Sequence, residues 1–298
     1  MIFLKTILLT LFFGLSTIFV NGQNNQTVKS ARVTYLANSG FIVQVGYEKV
    51  LFDGIFQNGM NRYIEPDENT VELMKNGLHP FDDIDVFFVS NFHADHFDPY
   101  VATRFMLNNE EVKMVCPQQV INKMKIFTSD FPKIADRIIE ATPMANQYDR
   151  VLIEGFEILA MHVKHEKIEN DHVENMSYLV SINGVKLFHS GDTDPETLDD
   201  LKGINISDLG VDIAFLNDKY GVGRAAKKTN KLVDARYNVL MHFEKYIAPK
   251  TLENFVERSK LKPRPHVFQI RNAYQDFYIN DFYPEKNDEH LSLTLIGN

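Results

Sequence analysis

Val33, Tyr35 and Ala37 line up at the period of two expected of a strand, and Phe41–Val45 follows after Asn38, Ser39 and Gly40. Gly46–Lys49 reads as a hairpin turn into Val50–Phe52, so the chain opens with an antiparallel meander that ends at Asp53. Residues 66–79 carry a helical pattern that stops at His79 and Pro80. Asp85–Val89 is a short continuous apolar run, consistent with a buried strand, and it leads directly into Ser90–Asp98.

The second half repeats this style. Val151–Ile153, Phe156–Val163 and Met176–Ile182 read as strands, and Val185–Phe188 follows across an Asn183-Gly184 hairpin turn. Helical patterns appear over 195–202, 224–236 and 249–260, and 291–296 reads as a closing strand. Two strand-rich halves, each followed by helices, imply an α/β sandwich. No Pro/Gly/Ser-rich linker, low-complexity tract or short repeat interrupts the 298 residues, so they read as one domain over 23–298 behind a leader.

That leader is the first 22 residues: Lys5, an apolar run to Val20, then Asn21 and Gly22. These are the parts of a secretory signal peptide, with the cut expected after Gly22 and the mature protein periplasmic or secreted. An uncleaved anchor is the rival, since about 20 apolar residues span a bilayer. No cysteine follows the run, which excludes a lipoprotein-type anchor. Elsewhere no segment is long and apolar enough to cross a membrane, so no membrane association is expected after cleavage.

The formal charge of -9 argues against nucleic acid as a partner. Cys116 is the sole cysteine, which rules out an internal disulfide and a Cys-rich zinc site; it reads as a small core residue. No G-x-S-x-G elbow and no phosphate-binding glycine loop is present. The one basic cluster, Lys219–Lys228, reads as a solvated helix start or as a substrate loop.

The chemistry is concentrated at strand ends. Asn91, His93, Asp95 and His96 sit on the loop leaving the run at 85–89. Asp192 tips the turn after Leu187–His189, His242 ends the run from Asn238, and His162 and His165 end a further strand. Strands of one sheet end side by side, so these groups meet at a common rim. Imidazole nitrogen and carboxylate oxygen suit zinc, and also manganese or iron. Strand alternation leaves either His165 or His162 able to face the rim, with His165 favoured. His172 and His189 read as outer partners or packing residues, Asp53 as a structural hydrogen-bonding group, and Asp98 and Asp194 as turn or cap residues. His79, His266 and His290 carry no assigned role.

The order of these elements resembles the metallo-β-lactamase superfamily, in particular its lactonase-like and phosphodiesterase-like members. The likeness runs from about Val33 to about Ile247: the Tyr35–Ile42 meander, an H-x-H-x-D-H loop, a later His, a Gly-Asp turn and a final His. It implies a four-layer αββα sandwich and two adjacent metal positions. The first would use Asn91, His93 and His165, the second Asp95, His96 and His242, with Asp192 bridging. It implies a metal-dependent hydrolase in which a metal-bound hydroxide attacks an ester, lactone, amide or phosphodiester bond of a small-molecule substrate. Asp95 and His96 would be the catalytic pair, with one or two Zn²⁺ ions, or Mn²⁺ or iron, as cofactor.

One position departs from the family. Asn91 stands where the motif has its first His, and an amide oxygen is a poorer zinc donor than imidazole. A subclass of mono-zinc β-lactamases carries an Asn there, although with a Cys where this chain has Asp192, so the change is compatible with an active enzyme. A binding or scaffold protein of the same fold and an iron-dependent oxidoreductase remain alternatives. Substrate, metal count and oligomeric state stay open.

Overall fold

The computed structural model describes residues 30–166, 170–200, 204–263, 266–267, 275–279 and 293–295. The leader, its cleavage site and His290 lie outside them. Two sheets face each other. The first has eight strands in the order β15-β14-β1-β2-β3-β4-β5-β6. These are β1 (Ala31–Ala37), β2 (Gly40–Val45), β3 (Glu48–Phe52), β4 (Val86–Phe88), β5 (Lys113–Cys116), β6 (Ile138–Glu140), β14 (Gln275–Ile279) and β15 (Leu293–Leu295). The second has seven, in the order β13-β12-β11-β10-β9-β8-β7. Its members are β7 (Gln147–Ile153), β8 (Phe156–His162), β9 (Met176–Ile182), β10 (Val185–His189), β11 (Ile213–Asn217), β12 (Tyr237–Met241) and β13 (His266–Val267).

Each sheet is antiparallel at one side and parallel at the other. β3, β4, β5 and β6 run parallel, joined through α1 (Glu68–Lys75), α2 (Pro99–Asn108) and α3 (Gln118–Phe127). β10, β11, β12 and β13 run parallel as well, and α4 (Gly223–Leu232) and α5 (Pro249–Arg258) make their later crossovers. β8 pairs antiparallel with β9 and β9 antiparallel with β10, so β8 points the same way as β10.

Alternation along the strands builds the layers. Phe41, Val43, Val50, Phe52 and Phe88 of the first sheet meet Ile158, Tyr178, Val180, Phe215 and Val239 of the second in the central core. The residues between them, Ile42, Leu51 and Phe87, turn outward against Met74, Phe105 and Met124 of the helices. On the other side Phe188, Leu216 and Leu240 pack against Ala226 and Leu252. The result is the expected α-β-β-α sandwich. β4 and β11 read as unbroken apolar runs because both of their faces are covered. A core phenylalanine such as Phe88, fully buried and stacked on Phe52 at 5.0 Å, contributes about 1.5–3 kcal/mol by burial.

Helix ends differ from the expected ranges for local reasons. The first helix starts after Asp67, whose side chain accepts from Thr70 N, and stops at Lys75, short of 79, because Gly77 turns left-handed at φ 59°. The pattern over 195–202 is a 3-10 segment, Pro195–Asp200. The closing strand is Leu293–Leu295, and it pairs with β14.

Candidate metal centre

The strands that run in one direction release their chains at one rim. Asp53 follows β3 at φ 44°, and its N–H donates to the Phe88 carbonyl at 2.8 Å, locking it beside the exit of β4. Gly40 and Gly54 pass so closely that a Cβ on Gly40 would lie 2.5 Å from the Gly54 Cα, which keeps both turns glycine. Beyond β4, the N–H groups of His96 and Phe97 both donate to the His93 carbonyl at 3.1 Å, a single turn that puts His93 and His96 on one side. Residues 164–166 run antiparallel to 192–194 through Asp194 N to Lys164 O and Glu166 N to Asp192 O, which brings His165 against the Asp192 turn. His242 leaves β12 at φ 66°, a left-handed conformation that a non-glycine residue holds only at a cost of about 1–3 kcal/mol.

Six of the seven expected residues converge. Donor atoms of His93, His165 and Asp192 lie within 4.8 Å of one another, and so do those of Asp95, His96 and His242. Asp192 joins the two groups: its Oδ2 is 3.0 Å from His96 Nε2, 3.3 Å from His242 Nε2 and 3.4 Å from His165 Nε2. Asp95 Oδ2 lies 3.4 Å from His242 Nε2. All are buried except the half-buried His93. Asp95 Oδ1, Asp192 Oδ1, His165 Nε2 and His242 Nε2 are buried with no well-aligned hydrogen-bond partner, although the two imidazoles sit at ion-pair distance from carboxylates. Buried polar atoms left this way are rare, and a cation between the two groups would satisfy all four. The donors fit a metal such as zinc, and each group supplies the three protein donors of a catalytic zinc site.

Without a cation the cluster is a charge network. Burial alone would lower His96 and His242, but the neighbouring carboxylates together outweigh it: Asp192, Asp53 and Asp95 hold His96 well above the ordinary imidazole range, and Asp192 and Asp95 raise His242 to about 10. Asp192 is correspondingly held well below the usual carboxylate range by His242 and His96, against the opposing effect of burial. His93 falls to about 4, through burial and then the charges of His96 and His165.

Asn91 behaves differently. Its Oδ1 accepts from His93 N at 2.9 Å, and its Nδ2 reaches Ser90 Oγ at 3.3 Å and Asn175 Oδ1 at 3.4 Å. The amide is short enough to find protein partners for both its oxygen and its nitrogen within and beside the loop. His162 is also engaged, through Nδ1 to the Pro143 carbonyl at 2.9 Å, which leaves His165 at the rim. His189 packs behind the Asp192 turn, stacked on Phe52 and donating from Nε2 to Ser39 O at 2.9 Å. His172 is exposed, which removes the outer-partner reading for it. Asp98 caps α2 through Val101 N, and Asp194 makes a turn with Glu196 N.

Within the surrounding framework Asp53 has the structural hydrogen-bonding role read from the sequence, and the remaining members went unread. Asp53 Oδ2 accepts from His96 Nδ1 at 2.8 Å, which holds that proton on Nδ1 and leaves Nε2 as the nitrogen that would ligate once deprotonated. Asn38 donates to Asp95 Oδ2 at 3.0 Å and to its carbonyl at 3.1 Å. Asn175 accepts from Asp192 N at 3.1 Å, and Asn217 donates to Thr193 O at 3.0 Å. Lys123 of α3 donates to the Phe92 carbonyl at 2.8 Å and pins the histidine loop from outside. At the mouth, Tyr63 lays its ring 4.2 Å from that of His242. Burial, then the charges of Asp192 and Asp95, push its phenol above the usual range. Lys219 pairs with Glu166 at 3.0 Å, which ties the start of the basic cluster to the residue after His165.

The sequence profile of the beta-lactamase superfamily domain matches residues 49–243. Among curated proteins none matches this chain. Similar solved structures include the metallo-beta-lactamase fold protein YhfI of Bacillus subtilis, at 12% identity and TM-score 0.55, covering 84% of this chain and 99% of that one. Igni18, a metallo hydrolase of the archaeon Ignicoccus hospitalis, aligns at 16% identity and TM-score 0.54 over 84% of this chain and 98% of its own. A diphosphatase of the PhnP family aligns at 14% identity and TM-score 0.50, covering 85% and 99%.

Proposed function

We infer that this chain, which belongs to the beta-lactamase superfamily, is a metal-dependent hydrolase. His93, His165 and Asp192 hold one metal position; Asp95, His96 and His242, with Asp192 shared, hold the neighbouring one. The observation that carries this reading is Asp192 Oδ2, within 3.0–3.4 Å of three imidazole nitrogens from three different segments. Core packing gives no reason to bury such a set, and two of those imidazole nitrogens lack aligned partners.

The nitrogen and oxygen donors favour zinc and would also accept manganese or iron. A bound ion would supply Lewis acidity and an acidified water as nucleophile at neutral pH. The chain's own residues prepare the place. Asp53 orients His96, Asn38 fixes Asp95 with one oxygen turned to the rim, and the burial of the cluster keeps bulk water off the donors. Cys116 is not a rival nucleophile, because it is fully buried and burial pushes its thiol up. The substrate class that fits is a small molecule with an ester, lactone, amide or phosphodiester bond, and a diphosphatase with a similar fold keeps phosphoryl centres in the set. Asp95 and His96 are the residues assigned to the chemistry. We propose that residues 1–22, which have the parts of a secretory leader, direct the protein to export.

Elemental analysis of the dialysed protein, together with turnover on a panel of lactones, aryl esters and phosphodiesters, tests the reading. Bound zinc, turnover lost to a chelator and regained with metal, and loss of both in His242→Ala are expected. Firm metal without turnover on any substrate would favour the scaffold alternative, which the engaged Asn91 amide motivates. No retained metal would refute the reading.

A further inference from the structure

Tyr63 lies on the loop between β3 and α1, and this loop is tied to the segment that follows His242. Tyr63 bridges Glu244 in antiparallel fashion, Lys245 N donates to Arg62 O at 2.9 Å, and Arg62 Nε donates to Glu244 Oε1 at 2.9 Å. Lys245 Nζ also donates to Asn61 Oδ1. The clasp holds the Tyr63 ring 4.2 Å from that of His242 at a tilt of 43°, with the residue 5% exposed. The Arg62 guanidinium carbon lies 5.5 Å from the ring centre.

Packing explains the ring but not the hydroxyl, since a phenylalanine would cover His242 equally well. Buried phenols normally find an acceptor. Tyr178 does, donating to Val89 O at 2.8 Å. Among the described residues none hydrogen-bonds the Tyr63 hydroxyl, although its ring lies directly against that of His242. A phenol is protonated at neutral pH, with an ordinary pKa of about 10. The group is therefore a fixed donor at the mouth of the metal centre.

We propose that Tyr63 is a catalytic residue whose hydroxyl donates a hydrogen bond to the substrate's carbonyl or phosphoryl oxygen, the atom that gains charge as the bond is attacked. The role rests on the hydrolase reading and adds a contact that the metal ligands do not supply. A donor preorganised at such an oxygen is worth roughly 100-fold in kcat.

Inorganic phosphate, which presents the same oxygens, gives a test that does not depend on knowing the substrate. Its affinity for the zinc-loaded protein is measured by calorimetry in wild type and Tyr63→Phe, with zinc content determined on the same samples. Phosphate should bind about 3- to 10-fold more weakly to the variant, the worth of one hydrogen bond, at unchanged zinc content. Tyr63→Leu, which also bares His242, should lose zinc affinity as well. Equal phosphate affinity in fully loaded Tyr63→Phe would overturn the role while leaving the hydrolase reading intact, and so would a fall in the zinc content of that variant. Wild-type protein that retains no zinc would overturn both.

Discussion

Replacing Asp53 with Asn tests whether the metal centre depends on the carboxylate beneath it. Two oxygens now accept from three donors: Oδ1 from Ser90 N, and Oδ2 from both Ser90 Oγ and His96 Nδ1, each at 2.8 Å. An amide has one oxygen and one NH₂, so either placement turns an NH₂ toward a donor. With its oxygen kept at His96, Ser90 N–H is buried without an acceptor, at a cost of about 1–3 kcal/mol. With the amide reversed, His96 keeps only the weaker Ser90 Oγ at 3.1 Å as acceptor, which favours the proton on Nε2, the atom that faces Asp192 at 3.0 Å. That tautomer cannot ligate through Nε2.

Loss of such an outer partner weakens metal binding by about 10- to 100-fold. A second effect opposes it. Asp53 is one of the charges holding His96 above its ordinary range in the metal-free protein, after Asp192, so its removal also lowers the proton's competition with the metal. Competition matters only where His96 is protonated, and it fades as pH rises. The deficit of Asp53→Asn should therefore be larger at pH 9 than at pH 6.5. Competition with a chromogenic chelator for zinc, at both pH values, reads this directly, alongside thermal unfolding of the metal-free proteins. A variant that melts earlier but binds zinc as wild type does at both pH values would show that Asp53 only braces the loop.

Further outcomes follow from the same geometry. In Gly191→Ala a Cβ would meet Met176 O at 2.7 Å and Asn175 Oδ1 at 3.0 Å on a backbone with φ 55°; roughly 2 kcal/mol of stability should be lost, and Asp192 displaced, read as lower Tm and lower zinc content. Zinc entering the Asp95, His96 and His242 position of the metal-free protein at pH 8 should release about two protons, because His242 sits at about 10 and His96 is also raised. Calorimetry in buffers of different ionisation heat checks this, and no proton release would contradict it. The sign for folding is the reverse: His242 stabilises the metal-free fold fully below its unfolded value near 6.5, and that contribution is lost as pH rises toward 10, so the zinc-free Tm should fall over that window. Asn91→His should raise zinc stoichiometry toward two, by elemental analysis, and two equally firm equivalents already in wild type would refute the asymmetry assigned to Asn91.

The sequence disclosed this centre because its donors are chemically conspicuous and stand where apolar runs stop. Phe88 and Val89 before the histidine loop, Leu187 and Phe188 before Asp192, and Leu240 and Met241 before His242 are strand ends in a buried double sheet, so a one-dimensional pattern located a three-dimensional rim. The framework left no such mark. Asn38, Asn175 and Asn217 are small polar residues of a kind that normally signals turns, and only the fold reveals them as buried and aimed at Asp95, Asp192 and Thr193. Tyr63 sits among Asn61, Arg62 and Ile64 with no periodicity to flag it. β14 was missed for another reason: its place beside β1 closes a sheet across more than two hundred residues of chain, a pairing that local pattern does not encode.

Asn91 shows how one substitution divides an otherwise shared centre. In the family's motif an imidazole at that place would reach the first metal position. The shorter amide instead satisfies His93 N, Ser90 Oγ and Asn175 Oδ1, and Asn175 in turn accepts from Asp192 N. The lost donor is therefore converted into bracing for two donors that remain. His93 is steadied through its backbone and Asp192 through Asn175. The first position is left with His93, His165 and a share of Asp192, the second with Asp95, His96, His242 and the same share. The second has raised imidazoles, His96 and His242, to discharge when a cation arrives, whereas His93 of the first is already neutral near pH 7. The two positions thus differ in donor count and in proton cost, in opposite directions. At low pH the proton cost narrows the advantage of the four-donor position, and as pH rises that position pulls ahead. We expect one ion to be held more firmly than the other, which a zinc titration of the metal-free protein would read as two distinct affinities.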